Sequence, residues 1–387
     1  LDYFLSEEEQ RLKKLAREVA EKEIIPVRAE LDREGNFPHA ILKKIAEVGL
    51  PQVYVPKEYG GTAGSIFGLC LITEELARAE AGVAVCYAAS ALGCLPIMIG
   101  GSDEQKKRYL PPIASGSTYC AFGLTEPDAG SDAGRMTTVA VKKGDEYILN
   151  GKKIFCTNGE VADTYTVFAK TDPEKGSRGI SAFILEKGWD GFSFGRKEDK
   201  MGIRSSIQTE LFFEDCRVPV RNLLGKEGQG FVIAMKTLDK SRPGIGAQAL
   251  GIAQGAFELA TEYAQNRVQF GGPLTALQAI QFMLADMATE IEAARGLVYQ
   301  TARMIDRGIK NCTKDSAMCK LFASDVAMRV TVDAVQIFGG YGYMKDYPVE
   351  KYMRDAKITQ IYEGTNQIQR LVIASNLIRE MASKESS

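Results

Sequence analysis

The spacing of apolar residues changes twice along the chain, and that order limits the fold more than any other feature. Through residue 118 apolar positions recur at helical spacing. Ser6 with Glu9 makes a capping box ahead of Leu12, Leu15, Val19 and Ile24, and further helices are predicted over about 39–48 and 66–80, with turns at Pro51 and Tyr59-Gly60-Gly61. From Tyr119 to about Val220 the pattern becomes short runs rich in Val, Ile, Thr, Tyr and Phe. Glu146-Tyr147-Ile148-Leu149, Tyr165-Thr166-Val167-Phe168 and Ser181-Ala182-Phe183-Ile184-Leu185 read as strands, separated by turns such as Lys143-Gly144-Asp145 and Asp172-Pro173. From Gly228 long helical patterns return, over about 230–265, 276–308 and 315–338, with shorter ones beyond Pro348. Helices, then strands, then helices is an α+β order rather than the alternation of a doubly wound sheet, so no Rossmann site is expected. The 387 residues suffice for three such units, at 1–118, 119–225 and 226–387.

Charge and composition exclude several functions. Forty-eight Lys and Arg face 50 Asp and Glu, a net charge of -2, so no nucleic-acid partner is expected. The single histidine, His39, excludes a histidine-rich metal site, no metal is expected, and any Ser-His or Cys-His mechanism would rest on that residue alone. Eight cysteines without a C-x-x-C read as a reduced thiol set. The N-terminus lacks the basic and apolar regions of a signal peptide, so the cytoplasm is the default and a processed mitochondrial-matrix form stays open. Residues 81–102 carry no charge, but Pro96, Ser90 and four glycines point to a core helix ending near Gly93–Pro96, with no membrane insertion.

Three motifs carry chemistry. Phe122-Gly123-Leu124-Thr125-Glu126-Pro127-Asp128-Ala129-Gly130-Ser131-Asp132 reads either as a polar turn or as a loop whose Gly130 admits a phosphate, with Thr125 and Ser131 presenting hydroxyls. Gln336-Ile337-Phe338-Gly339-Gly340-Tyr341-Gly342-Tyr343 ends a helix in a glycine pair. Ile361-Tyr362-Glu363-Gly364-Thr365-Asn366-Gln367 sets a lone carboxylate between aromatic and glycine neighbours, and by spacing alone Glu363 could be a helix N-terminal acid.

With Asn266-Arg267-Val268-Gln269-Phe270-Gly271 and Met353-Arg354-Asp355-Ala356-Lys357-Ile358, these runs resemble the acyl-CoA dehydrogenase family of flavoenzymes over essentially the whole chain, nearest its short- and medium-chain branches, with Asp239-Lys240-Ser241-Arg242-Pro243 and Tyr347-Pro348-Val349-Glu350-Lys351 similar to the medium-chain branch. The resemblance implies an N-terminal helical domain, a middle β-barrel or sandwich and a C-terminal four-helix bundle. It implies FAD held by Phe122, Leu124, Thr125 and Ser131, with Phe155 on the flavin ring where many relatives have Trp, and Thr157 at its N5 region. Arg267, Phe270, Gln278, Gln336, Gly339 and Gly340 would reach FAD across a subunit boundary of a homotetramer, while Thr365 and Gln367 touch it beside the base. Glu363 would be the catalytic base and its N–H an oxyanion donor. Ser131, Asp239, Arg242, Tyr362 and Gly364 would bind acyl-CoA, and electrons would pass to an electron-transfer flavoprotein. Some relatives carry the base at the position of Ser241, which cannot serve. The helix within 81–102 would line the pocket base with Tyr87, Ala88, Ala89 and Ser90, which leaves open whether the acyl group is straight, branched or alicyclic. A DNA-associated branch of the same fold is disfavoured by the charge balance and by Glu363.

Overall fold

The computed structural model describes residues 3–385; Leu1, Asp2, Ser386 and Ser387 of the outer units lie outside it. Six helices come first: α1 (Glu7–Val19), α2 (Arg28–Glu34), α3 (His39–Glu47), α4 (Ile66–Ala79), α5 (Ala81–Gly100) and α6 (Asp103–Ala114). Eight strands follow: β1 (Cys120–Gly123), β2 (Val139–Lys143), β3 (Glu146–Thr157), β4 (Thr164–Lys170), β5 (Ile180–Glu186), β6 (Phe192–Lys197), β7 (Gln208–Pro219) and β8 (Leu223–Leu224). The last unit is α7 (Gly230–Asn266), a hairpin of β9 (Val268–Gln269) and β10 (Gly272–Pro273), then α8 (Gln278–Asp306), α9 (Thr313–Phe338), α10 (Val349–Thr359) and α11 (Asn366–Glu385). This is the three-domain helix, strand, helix architecture that the periodicity implied.

The capping box at Ser6 forms, with Glu9 N–H donating to Ser6 Oγ at 3.2 Å and Ser6 N–H to Glu9 Oε2 at 2.7 Å. The helical run does not reach Ile24 in α form, because it widens into a π turn over Ala20–Ile24. The sheet runs β6-β7-β3-β2-β4-β5-β8, with β1 parallel to β4. Its two-residue alternation serves two cores. Phe168, Ala182 and Ile184 face the helices, while Val167, Ala169, Phe183 and Leu185 pack inside the β-domain with Tyr147 and Phe213.

One expectation fails at α5, which runs through Pro96 to Gly100. Gly93 is a contact point rather than a stop: a Cβ there would lie 2.8 Å from Ala121 N and 2.9 Å from Cys120 Sγ, so the helix rests directly on β1. The Thr166 hydroxyl donates to the Gly93 carbonyl at 3.1 Å, giving the segment beside the proline a further partner. Among the described residues α5 is the one helix long and apolar enough to cross a membrane, and 78% of its apolar window is buried inside the fold.

Buried ions join the units. Glu74 in α4 accepts from Arg295 Nε of α8 at 3.0 Å, from the Tyr299 hydroxyl at 2.7 Å and from Lys13 of α1 at 3.3 Å. Glu80, the N-cap of α5, accepts from Lys351 Nζ of α10 at 2.6 Å, and Lys351 also pairs with Asp355. From the β-domain, Ser205 donates to Glu80 at 3.0 Å and Ile203 N–H to Asp355 at 2.5 Å. Burial alone would lower the Lys351 pKa, but the two carboxylates outweigh it and hold it above the usual lysine value. Replacing Lys351 with Met leaves two carboxylates facing each other out of water. Lys351→Met is expected to cost about 3–5 kcal/mol in thermal unfolding; a loss within the range of a surface substitution, about 0.5 kcal/mol, would contradict this role.

Candidate active site

Between α10 and α11 the chain makes a tight turn through Tyr362, Glu363, Gly364 and Thr365. Glu363 has φ +50°, costly for a residue with a side chain, and Gly364 has φ +92°. The φ of +92° favours glycine at the second position, and a Cβ there would also press on Gln369 Nε2 at 2.7 Å. Donors from three helices hold the turn. Gln369 donates to the carbonyls of Glu363 and Gly364 at 3.2 and 2.8 Å, Lys320 Nζ to Gly364 O at 2.9 Å, and Arg242 Nε makes a long 3.5 Å contact with Glu363 O. The Ser241 hydroxyl donates to the Glu363 carboxylate. Among the described residues the Glu363 N–H has no acceptor.

Glu363 is half-buried as a residue, but its carboxyl group turns inward onto Ser241. Burial therefore raises its pKa above the ordinary carboxylate value, against the opposing pull of the Ser241 hydrogen bond and of Arg242 and Lys320. The helix N-terminal reading of Glu363 does not hold. α11 starts at Asn366, and Thr365 caps it by accepting from Ile368 N–H at 3.2 Å.

The β-domain contributes a second surface. Glu126 and Ala129 exchange backbone hydrogen bonds at 3.2 and 3.1 Å, closing a tight polar turn, and Gly130 and Ser131 are exposed just past it. Under it lies a buried ion pair, Lys153 Nζ to Glu126 Oε1 at 2.7 Å, with the same ammonium donating to Leu124 O at 3.2 Å. Burial by itself would raise the Glu126 pKa, but Lys153 and the Thr137 and Thr138 donors hold it at about 2. Phe155 sits at a bulge with φ +55° and is 63% exposed, so its ring stands out from the sheet instead of entering the core. Thr157 Oγ1 accepts from Gln208 Nε2 at 3.2 Å, which leaves its own proton free to donate outward.

The remaining expected cofactor residues form a separate group. Arg267 stacks over Tyr341 at 5.4 Å, Phe270 is 94% exposed with φ +53°, and Gln278 and Gln336 are exposed. Gly339 and Gly340 have open space where a Cβ would stand. Among the described residues no hydrogen bond or ring contact joins this group to Thr157 or Glu363 in the protomer. On the β-domain surface an outward aromatic ring and a hydroxyl with a proton to give fit the face and edge of a flat aromatic cofactor, while the open glycines 339 and 340 stand with the separate group. Phe122 and Leu124 lie beneath that surface, and Gln367 is exposed beside Thr365.

Other expectations shift. Asp239 and Arg242 pair at 3.0 Å with Arg242 only 4% exposed, and Asp239 also accepts from Thr313 at 2.6 Å. Of the four α5 residues assigned to the pocket base, Tyr87 turns away and donates to Leu50 O at 3.1 Å. Ser90 is engaged by Cys120 N–H at 3.3 Å and Asn158 at 3.5 Å. Ala89 is buried, and the partly accessible face of α5 carries Ala88 and, one turn on, Leu92. His39 packs against Phe37 with ring centroids 4.6 Å apart, apart from this site.

Sequence reasoning missed Lys320, Lys153 and the use of Ser241. The signal for the first was a lone cation within Ala317-Met318-Cys319-Lys320-Leu321-Phe322. For the second, within Gly151-Lys152-Lys153-Ile154-Phe155, the sequence offered no comparable signal. Nothing in the sequence pointed to the Ser241 contact, which spans 122 positions.

Models of the acyl-CoA dehydrogenase N-terminal, middle and C-terminal domains match residues 6–117, 121–216 and 228–378. The chain is similar to butyryl-CoA dehydrogenase from Megasphaera elsdenii, with 50% identity, TM-score 0.95, and 98% of this chain and 100% of that one covered. It is similar, at 54% identity and TM-score 0.96, to a chain solved in work on the electron transferring flavoprotein of Acidaminococcus fermentans and flavin-based electron bifurcation; coverage is again 98% and 100%. An acyl-CoA dehydrogenase from Bacillus anthracis complexed with FAD shares 35% identity and TM-score 0.93, covering 99% of this chain and 69% of that one.

The buried pair under the Glu126 turn yields a test. Lys153→Met should leave Glu126 unpaired, accelerate amide exchange across residues 124–131 at least about tenfold and weaken FAD retention. Unchanged exchange would mean that the pair does not hold the loop.

Proposed function

The chain belongs to the acyl-CoA dehydrogenase family and is an FAD-dependent oxidoreductase, and from that premise we propose that it dehydrogenates a short-chain acyl-CoA to the trans-2-enoyl thioester with Glu363 as base. FAD, when bound, supplies the acceptor for the hydride leaving the β-carbon. The observation that carries the reading is the turn at Glu363: an inward, desolvated carboxylate next to a backbone N–H with no acceptor of its own. A thioester α-hydrogen is a weak acid, so its removal needs a base of raised pKa and a donor to the oxygen on which charge gathers. Glu363 offers both from one residue. Its carboxylate takes the α-proton, and its N–H, fixed by the left-handed turn, faces the thioester oxygen. Ser241 holds the carboxylate oriented, and Thr157 and Phe155 meet the cofactor with a donor and an aromatic face.

The butyryl-CoA dehydrogenase relative supports a short acyl group, and the chain from the A. fermentans work supports electron-transfer flavoprotein as the acceptor. The bacterial sources favour the cytoplasmic form of the localisation. Asp239 and Arg242 remain assigned to acyl-CoA, with Ser131, Tyr362 and Gly364, and we assign the outward Arg267 and Phe270 to a neighbouring subunit's FAD in a homotetramer.

Anaerobic titration with an acyl-CoA panel, read as loss of oxidised flavin absorbance, should be steepest with a four-carbon chain. Glu363→Gln should keep FAD and acyl-CoA binding but slow flavin reduction at least about 10²–10⁴-fold; reduction within a few-fold of wild type would refute the assignment. Arg267→Ala should weaken FAD binding by about 1.5–3 kcal/mol and lose tetramer in parallel. A fully flavinated monomer in sedimentation would rule out the shared site.

A further inference from the structure

We propose that Lys320 is a positioning residue for Glu363: from beneath the 362–365 turn its ammonium clamps the Gly364 carbonyl, fixing the base's left-handed backbone, and its charge favours the ionised carboxylate. The inference rests on the reading of Glu363 as base.

Lys320 lies in α9 with no exposure, in an otherwise apolar stretch. Burying an ammonium is expensive, and a hydrophobic residue of similar volume would usually stabilise at least as well, so packing alone does not account for it. Its contacts straddle the turn. Nζ donates to Gly364 O and to Asn366 Oδ1, both at 2.9 Å, and so ties the residue after the base to the first residue of α11. Asn366 is held in turn, donating to Ser324 Oγ at 2.9 Å and Asp325 Oδ1 at 2.8 Å, so the clamp has a fixed footing on α9. With Gln369 and Arg242 on the Glu363 carbonyl, donors fix two successive peptide planes at a residue whose φ of +50° would otherwise relax.

The charges around the base are few. Arg242 and Asp239 face it from α7, where they pair with each other. Lys320, Asp325 and the Cys319 thiol come from α9, and Arg370 of α11 pairs with Asp325 at 3.2 Å. On the turn itself Tyr362 is neutral, its pKa pushed well up by burial. Burial pushes the Lys320 ammonium down to about 7, with Glu363 pulling it back up. The sign follows from the pairing: a cation at Lys320 lowers the Glu363 pKa, and its removal raises it. Proton abstraction requires ionised Glu363, so loss of the cation should slow the reaction most at low pH and progressively less as pH rises.

Stopped-flow flavin reduction of the holoenzyme over about pH 6 to 9 tests this, with FAD content and thermal stability recorded for each variant. Lys320→Met should raise the kinetic pKa by about one unit or more, which is about tenfold in rate on the acidic limb, with the gap to wild type closing at high pH. Lys320→Gln, which can still donate to Gly364 O without charge, should show the same shift and a higher plateau. In protein without substrate, the protonated-carboxyl infrared band that Glu363→Gln removes should titrate correspondingly higher in Lys320→Met. A profile parallel to wild type at lower amplitude, with an unmoved band, would reduce Lys320 to a structural role and overturn the proposal. If neither neutral variant yields holoprotein, Lys320→Arg decides: it keeps donors and a charge that does not titrate in this range, so the kinetic pKa should lie at or below the wild-type value, and a rise of a full unit would overturn the proposal. Glu363→Gln is run alongside. If it reduces flavin normally, the base reading falls and the proposal with it; if it is inactive while Lys320→Met is unshifted, only the proposal falls.

Discussion

A lysine between two carboxylates, all three out of water, sets the geometry on which the rest depends. Lys351 and Asp355 belong to α10, Glu80 caps α5, and Ser205 and Ile203 come from the β-domain, so one knot joins all three units. The turn bearing Glu363 begins directly after α10. Its position relative to Phe155 and Thr157 is therefore inherited from this knot. Ions so deeply buried are tolerated only in complete sets, because any missing partner leaves a bare charge in a low dielectric. Incompleteness is costly, and that keeps the arrangement single-valued.

The same device recurs under two turns outside the regular elements. The Glu126 turn rests on Lys153, and the Glu363 turn on Lys320. Such turns lack the regular ladders that satisfy backbone groups in helices and strands, so buried side chains supply the donors instead. A lysine suits this work because one flexible stem delivers up to three donors from a single point. The price is chemical: an ammonium in that setting is pushed toward neutrality, as at Lys153 and Lys320, where burial brings the pKa down to about 8 and about 7.

Much of this architecture could be read from the sequence, for identifiable reasons. The capping box at Ser6 and the β-branched and aromatic runs of β4 and β5 are local signals, and local signals dictated local structure. Pro96 misled because a proline and a nearby glycine normally end a helix, whereas here Gly93 serves contact with β1 and tertiary packing carries the helix onward. Motif resemblance pointed to the turn at Glu363, but not to what holds it. Ser241, Lys320 and Arg242 reach that turn across separations of 122, 44 and 121 positions, and no periodicity encodes a contact of that span. Tyr87 and Ser90 illustrate the reverse case: residues expected at the pocket base whose polar atoms are already committed to Leu50 and Cys120.

The eight cysteines are all unpaired and buried, and burial raises their thiols, to about 12 at Cys94, Cys156 and Cys319 and about 11 at Cys216. An α,β-unsaturated thioester is a Michael acceptor, an electrophile that thiolates attack at the β-carbon. A catalyst of the proposed reaction releases such a compound at every turnover, so any accessible thiolate would become a site of self-alkylation. Cys156, flanked by Phe155 and Thr157, would be the first casualty. Pointed inward, with its Sγ hydrogen donated to the Phe122 carbonyl at 3.4 Å and its thiol held protonated by burial, it would be mute toward such a product.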